Sequence, residues 1–172
     1  MTAPRRIVLV GFMGSGKSTV GPRVAEAMEW TFLDVDHEVE ARNGASVAEL
    51  FERKGQAWFR GAEAEVAREF LERDGVVVAT GGGWGAVEGR LEAVPPGTVS
   101  VWLKVSPEVA VRRARSQPGQ RPLLAVDDPL EAARALLLRR EARYARADHT
   151  VDTTDRSPDD VTRRIVEAIR SS

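Results

Sequence analysis

The 172-residue chain contains no cysteine, which excludes disulfides, thiolate metal sites and cysteine nucleophiles. Histidine occurs only at His37 and His149, and neither belongs to a cluster with metal-ligand spacing. Lysine is scarce: Lys17, Lys54 and Lys104 are the only ones among 25 basic residues. Anion sites beyond Lys17 therefore fall to arginine and its planar fork of donors. A formal net charge of -1 gives no global attraction to nucleic acid or anionic lipid. Long apolar runs are missing as well. The start, Met1 to Arg6, leads into only four apolar residues, Ile7 to Val10, too short for a signal peptide or a membrane span. A cytoplasmic monomer without membrane or nucleic-acid partners is the expectation. The guanine-selecting patterns N-K-x-D and D-x-x-G are absent too, which argues against a GTPase-type switch.

What is present starts with Gly11-Phe12-Met13-Gly14-Ser15-Gly16-Lys17-Ser18-Thr19. It fits G-x-x-x-x-G-K-[ST], the phosphate-binding loop, and sits between an apolar β-branched run, Ile7-Val8-Leu9-Val10, and a helical pattern with Val20, Val24, Ala27 and Met28 on one face. That order is the one the motif needs. Glycines allow a tight turn whose N–H groups converge on phosphate oxygens, and the new helix adds free N–H groups and the positive end of its dipole. Lys17 carries a charge to the β- and γ-phosphates, and the Ser18 hydroxyl suits Mg²⁺. Gly14, Ser15, Gly16, Lys17, Ser18 and Thr19 are the expected nucleotide contacts. An ordinary glycine turn is the plain alternative, and the full match in its proper context disfavours it.

Strands and helices alternate through the rest of the chain, without repeats or a long linker. Thr31–Asp34, residues 76 to 80, 99 to 103 and 150 to 153 read as further strands. Ser46-Val47-Ala48-Glu49 is a capping box, residues 56 to 73 read as a helix, and Ser106-Pro107 and Ser157-Pro158 read as caps followed by proline at the first helical position. The 42% hydrophobic content is enough for one core. The expected fold is a single α/β domain over 1–172, of the P-loop kinase type similar to nucleoside monophosphate kinases: a five-stranded parallel sheet with helices on both faces. Residues 116 to 129 hold three prolines and a glycine, and a loop of that length reads as a lid.

Open parallel sheets bind ligands at the carboxyl ends of their strands. The phosphate loop, Asp34 and Asp36, the triple glycine Gly81-Gly82-Gly83 and an arginine-bearing loop all fall there. The pair Asp34 and Asp36 could supply an acceptor in a magnesium shell and a carboxylate for a substrate hydroxyl, although an aspartate pair at a strand end is also a common helix cap. Three consecutive glycines imply close approach of a ligand to bare backbone. Arg121, in the lid, suits the charge that develops on the γ-phosphate. Arg60 and Arg140 lie on helical patterns among other charges, and spacing alone does not single them out.

The order GFMGSGKST, LDVD, WFRGAE, TGGG, RPLL and R-x-x-x-Y resembles the shikimate kinases, from about residue 7 to residue 158. The resemblance implies transfer of the γ-phosphoryl of ATP to the 3-hydroxyl of shikimate, with Mg²⁺, giving shikimate 3-phosphate and ADP in aromatic amino-acid biosynthesis. It implies Ser18 and Asp34 at the metal, Lys17, Asp36 and Arg121 as catalytic residues, and Arg60 and Arg140 on the shikimate carboxylate, with Arg139 and Arg143 as alternatives to Arg140. It further implies that Glu63 holds Arg60, that Gly81, Gly82 and Gly83 face the substrate, and that Arg113 and Arg156 flank adenine. Acceptor-binding helices would span about 35–62 and the lid about 113–127. The chain departs from the family pattern at Gln56, at Trp84 and in the segment Arg140–Tyr144.

The nearest rival is a gluconate or nucleoside monophosphate kinase, which would share the loop and lid and differ in the acceptor pocket. A nucleic-acid binder using the arginines near 112 to 115 and 139 to 146 is disfavoured, because those charges alternate with apolar residues as on a solvated helix face.

Overall fold

A computed structural model of the chain describes residues 3–116 and 125–172. Five parallel strands form one sheet: β1 (Arg6–Val10), β2 (Thr31–Asp34), β3 (Val76–Ala79), β4 (Thr98–Lys104) and β5 (His149–Asp152). Their order is β2-β3-β1-β4-β5. β1 is central and every one of its residues is buried, as expected of a strand covered on both faces. The pleat divides it. Val8 and Val10 enter one apolar cluster, with Val78, Phe59 and Trp102, while Ile7 and Leu9 enter the other, with Val24, Leu103 and Ile165.

Among the described residues, seven α-helices cover the sheet: α1 (Lys17–Met28), α2 (Val35–Asn43), α3 (Val47–Lys54), α4 (Gln56–Leu71), α5 (Pro107–Ser116), α6 (Pro129–Tyr144) and α7 (Pro158–Arg170). α1 and α7 supply the second cluster, and the others supply the first. The local signals act where the sequence carries them. Ser46 and Glu49 form both bonds of a capping box at α3, and Ser157 accepts from Asp160 N ahead of Pro158.

Three expectations need correction. In α1, Ala25 is buried where Ala27 was expected, and Ala27 is exposed, because residues one turn from Gly21 and Val24 face the sheet. β2 stops at Asp34, and Asp36 lies in the first turn of α2, since Asp34 caps that helix. Residues 113 to 116 of the expected lid form the last turn of α5. Arg121 and the rest of the lid's centre, residues 117–124, lie outside the described residues. Among the described residues, no helix is long and apolar enough to cross a membrane.

The register places the site. Asp34 pairs with Ala79 on β3, and Ala79 with Leu9 on β1. The chain thus leaves three adjacent strands at one edge, into the phosphate loop, α2 and the triple glycine.

Candidate active site

Gly16 caps α1 in a left-handed conformation, with no side chain satisfying the first turn and no acid within it. Thr19 N donates to the Gly16 carbonyl at 3.1 Å, and no side chain covers the positive end of the helix dipole, as an anion site requires. Gly14 also has positive φ, and a side-chain carbon there would come within 2.6 Å of the Ala110 carbonyl on α5, so only glycine fits. Ser15 is fully buried, and Ser18 and Thr19 are exposed on the first turn of α1. Lys17 is only 9% exposed. Its Nζ donates to the carbonyls of Gly11 at 2.7 Å and Phe12 at 3.0 Å and approaches Ser15 Oγ at 3.4 Å, so the ammonium braces the loop from inside.

Asp34 does two things at once. Oδ2 accepts from the Ser18 hydroxyl at 2.7 Å, and Oδ1 accepts from His37 N at 3.1 Å, capping α2. The capping and ligand readings of the sequence are therefore compatible. Two oxygens this close, at the mouth of an anion site, suit a hard, partly hydrated cation shared with phosphate. No cluster of three His, Cys, Asp or Glu exists among the described residues to cage a metal.

The triple glycine follows β3. Bare backbone is needed here because charged groups crowd it. A side-chain carbon at Gly81 would overlap Glu63 Oε1 and lie 2.8 Å from Asp36 Oδ1, and one at Gly83 would overlap the Arg60 guanidinium. At Gly82 it would lie 3.4 Å from Met13 N of the phosphate loop and 3.7 Å from Arg140 Nη1. Gly82 is thus the hinge point between the loop and the arginines. Its carbonyl accepts from the Tyr144 hydroxyl, which is fully buried against Trp102; burial raises the Tyr144 pKa and keeps the phenol a donor.

The Arg60 guanidinium, carried by α4, lies within 5.9 Å of the ring centroids of both Phe51 and Phe59 and donates to Glu63 Oε2 at 2.9 Å. Glu63 is 1% exposed. Burial pushes its pKa up, against the opposing charges of Arg60, Arg90 and Arg140. Arg140 points inward from α6, over the Phe12 ring, whereas Arg139 is exposed and Arg143 pairs with Glu88 at the surface. Three buried polar atoms in this pocket, Arg140 Nη1, Glu63 Oε1 and Trp84 Nε1, have no hydrogen-bond partner among the described residues. Buried groups left so are costly and point to a ligand that completes them.

On the other side of the loop, Arg113 donates to the Gly14 carbonyl at 3.3 Å and to the Thr153 carbonyl at 2.7 Å. Thr153 Oγ1 lies 3.1 Å from both the Ser15 and Lys104 carbonyls. Sequence reasoning missed Thr153. Its place at the end of β5, on the carboxyl edge, was the available signal. Arg156, three residues on and just ahead of α7, pairs with Asp160 at 3.0 Å.

A family model described as shikimate kinase matches residues 13–170. The chain belongs to the shikimate kinase family. A shikimate kinase of Moorella thermoacetica is 43% identical over 168 residues, covering 98% of this chain and 96% of the relative. A shikimate kinase from Acinetobacter baumannii, solved in complex with shikimate, superposes with a TM-score of 0.91 at 36% identity, covering 98% of this chain and 94% of the other. A gluconokinase from Sinorhizobium meliloti also superposes, with a TM-score of 0.66 at 21% identity and coverage of 99% and 94%, which shows a shared fold alone. The shikimate kinase family thus accounts for both the sequence order and the architecture.

Proposed function

We infer that the chain is a shikimate kinase, transferring the γ-phosphoryl of ATP to the 3-hydroxyl of shikimate. The observation that carries this reading is the buried Nη1 of Arg140 near Gly82, which has no hydrogen-bond partner among the described residues, with Arg60 beside Gly83. Two guanidinium groups beside a phosphate loop suit a small acceptor carrying a carboxylate, which gluconate shares and a nucleoside monophosphate does not. Among carboxylated acceptors, family membership favours shikimate.

The proposed mechanism is mainly positioning and charge neutralisation. The loop from Gly14 to Thr19 and the open first turn of α1 hold the phosphates, while Lys17 neutralises the transferring group. Ser18 and Asp34 would hold Mg²⁺, which would supply further neutralisation of phosphate charge. Arg60, anchored by Glu63, and Arg140 orient the acceptor carboxylate. Asp36 receives the hydroxyl proton as the acceptor oxygen bonds to the γ-phosphorus and the bond to the bridging oxygen of ADP breaks. Arg113 and Arg156 flank the base, and Arg121 is assigned to the γ-phosphate from its place in the sequence. The test is a coupled ADP-release assay with ATP, Mg²⁺ and a panel of acceptors. Shikimate-dependent turnover, with gluconate and nucleoside monophosphates inert, is expected; turnover on gluconate with shikimate inert would overturn the reading.

A further inference from the structure

A loop that turns its N–H groups toward an anion turns carbonyls the other way, and those need donors of their own. Two are served from within the motif, where Lys17 Nζ donates to Gly11 and Phe12. The next two are served from outside it. The Gly14 carbonyl accepts from Arg113 Nη1 at 3.3 Å, and the Ser15 carbonyl accepts from the Thr153 hydroxyl at 3.1 Å. Arg113 stands on α5, and Thr153 directly follows β5.

Thr153 governs this outer set. It is 2% exposed, so water does not compete for its hydroxyl. That hydroxyl has one proton and lies 3.1 Å from two carbonyls, those of Ser15 and Lys104. The Lys104 carbonyl already accepts from Thr153 N at 2.8 Å, which leaves the proton for Ser15. The hydroxyl oxygen accepts from Arg113 Nη1 at 3.1 Å, and the Thr153 carbonyl accepts from Arg113 Nη2 at 2.7 Å. One residue thus aims both arms of the arginine that reaches Gly14. In a planar trans peptide the oxygen and the hydrogen point opposite ways. A Ser15 carbonyl fixed on Thr153 therefore sets the Gly16 N–H on the side away from β5.

We propose that Thr153 is a positioning residue of the nucleotide site: its hydroxyl fixes the Ser15–Gly16 peptide and, through Arg113, the Gly14 carbonyl, so that the loop holds its anion-binding shape before nucleotide arrives. Thr153 acts through the loop and needs no contact with nucleotide. A loop ordered in advance gives up less conformational freedom on binding. The proposal concerns the phosphoryl donor alone and does not depend on which acceptor the chain phosphorylates.

The test compares wild type with T153V, which keeps the shape and removes the hydroxyl, and T153S, which keeps the hydroxyl. T153A also removes the hydroxyl and decides the matter should T153V fail to fold. The primary reading is the Kd for ADP with Mg²⁺, by calorimetry without acceptor. T153V and T153A should weaken ADP about three- to tenfold, the scale of one lost hydrogen bond, and T153S should bind as wild type does. In the coupled assay the ATP KM should rise by the same factor, while the shikimate KM at saturating ATP stays at its wild-type value. A residue that only supports the fold would lower the melting temperature and leave the ADP Kd of the folded protein unchanged; that outcome overturns the proposal. So does a loss that T153S shares, or a shikimate KM that rises as much as the ATP KM. A wild type that binds ADP but turns over no shikimate fails the acceptor reading, and the ADP comparison still decides the role of Thr153.

Discussion

The Ser18 hydroxyl donates to Asp34 at 2.7 Å, joining the first turn of α1 to the end of β2. Because the other Asp34 oxygen caps α2, one substitution disturbs two functions, and a pair of substitutions separates them. D34N keeps a good cap and should leave the melting temperature close to wild type, whereas D34A should cost about 1 kcal/mol in stability. Both should raise the Mg²⁺ concentration needed for half-maximal turnover. Thermal melts paired with Mg²⁺ titrations check this; D34N with an unchanged Mg²⁺ requirement would remove Asp34 from the metal site.

Lys17 braces the loop from inside while serving the phosphates in the proposed mechanism. K17M should lower kcat by at least about 10²-fold, the scale seen when one charge-stabilising donor is removed from a transition state. Single-turnover assays at saturating ATP give the measurement.

Arg140 carries a cost in the free protein, since its Nη1 is buried without a hydrogen-bond partner among the described residues. R140M keeps the packing over Phe12 and removes that cost. The variant should melt at the same temperature as wild type or higher, yet its acceptor KM should rise about 10- to 100-fold, as for a lost charge-assisted hydrogen bond. A large loss of stability with little change in KM would assign Arg140 to the fold instead.

Gly83 offers a milder route to the same pocket. A methyl there would push the Arg60 guanidinium aside, and the end of a flexible side chain moves at little energetic cost. G83A should raise the acceptor KM with only a small change in melting temperature, while R60A should destabilise as well, because it leaves buried Glu63 without its bonded partner. Comparing the two variants by melt and steady-state kinetics tests this difference.

The raised pKa of Glu63 makes a stability prediction of known sign. Burial lets the native state hold this proton to higher pH than the unfolded chain does. Where the native state binds more protons, stability falls as pH rises. The wild type should therefore lose stability from the ordinary carboxylate range, about 4.3, upward through the Glu63 pKa. E63Q should flatten that slope. Urea unfolding over a pH series measures it, and parallel curves would show that Glu63 titrates alike in both states.

Much of this was legible in the sequence where a local pattern has a single physical solution. The phosphate loop, the capping box at Ser46 and the proline-led α7 are set by residues close together in the chain. Asp34 was legible as ligand or cap; the structure shows the cap and a hydrogen bond from Ser18, and the ligand role belongs to the proposed mechanism. The acceptor pocket was legible only through family resemblance. Arg60, Glu63 and Arg140 meet across α4, the triple glycine and α6, and no spacing rule relates them. The choice of Arg140 over Arg139 and Arg143 needed the helix phase, which turns Arg139 and Arg143 to the surface. Thr153 escaped notice because threonine at a strand end carries no composition signal until the facing loop is in view.

Thr153 also bears on the order in which the protein comes into being. The nucleotide loop emerges early from the ribosome, yet its shape leans on a threonine near the far end of the chain, through contacts with Ser15 and Arg113. A nascent chain that stops short of β5 carries every residue of the loop without that buttress. A chain truncated ahead of β5 is therefore expected to bind nucleotide more weakly than the whole one.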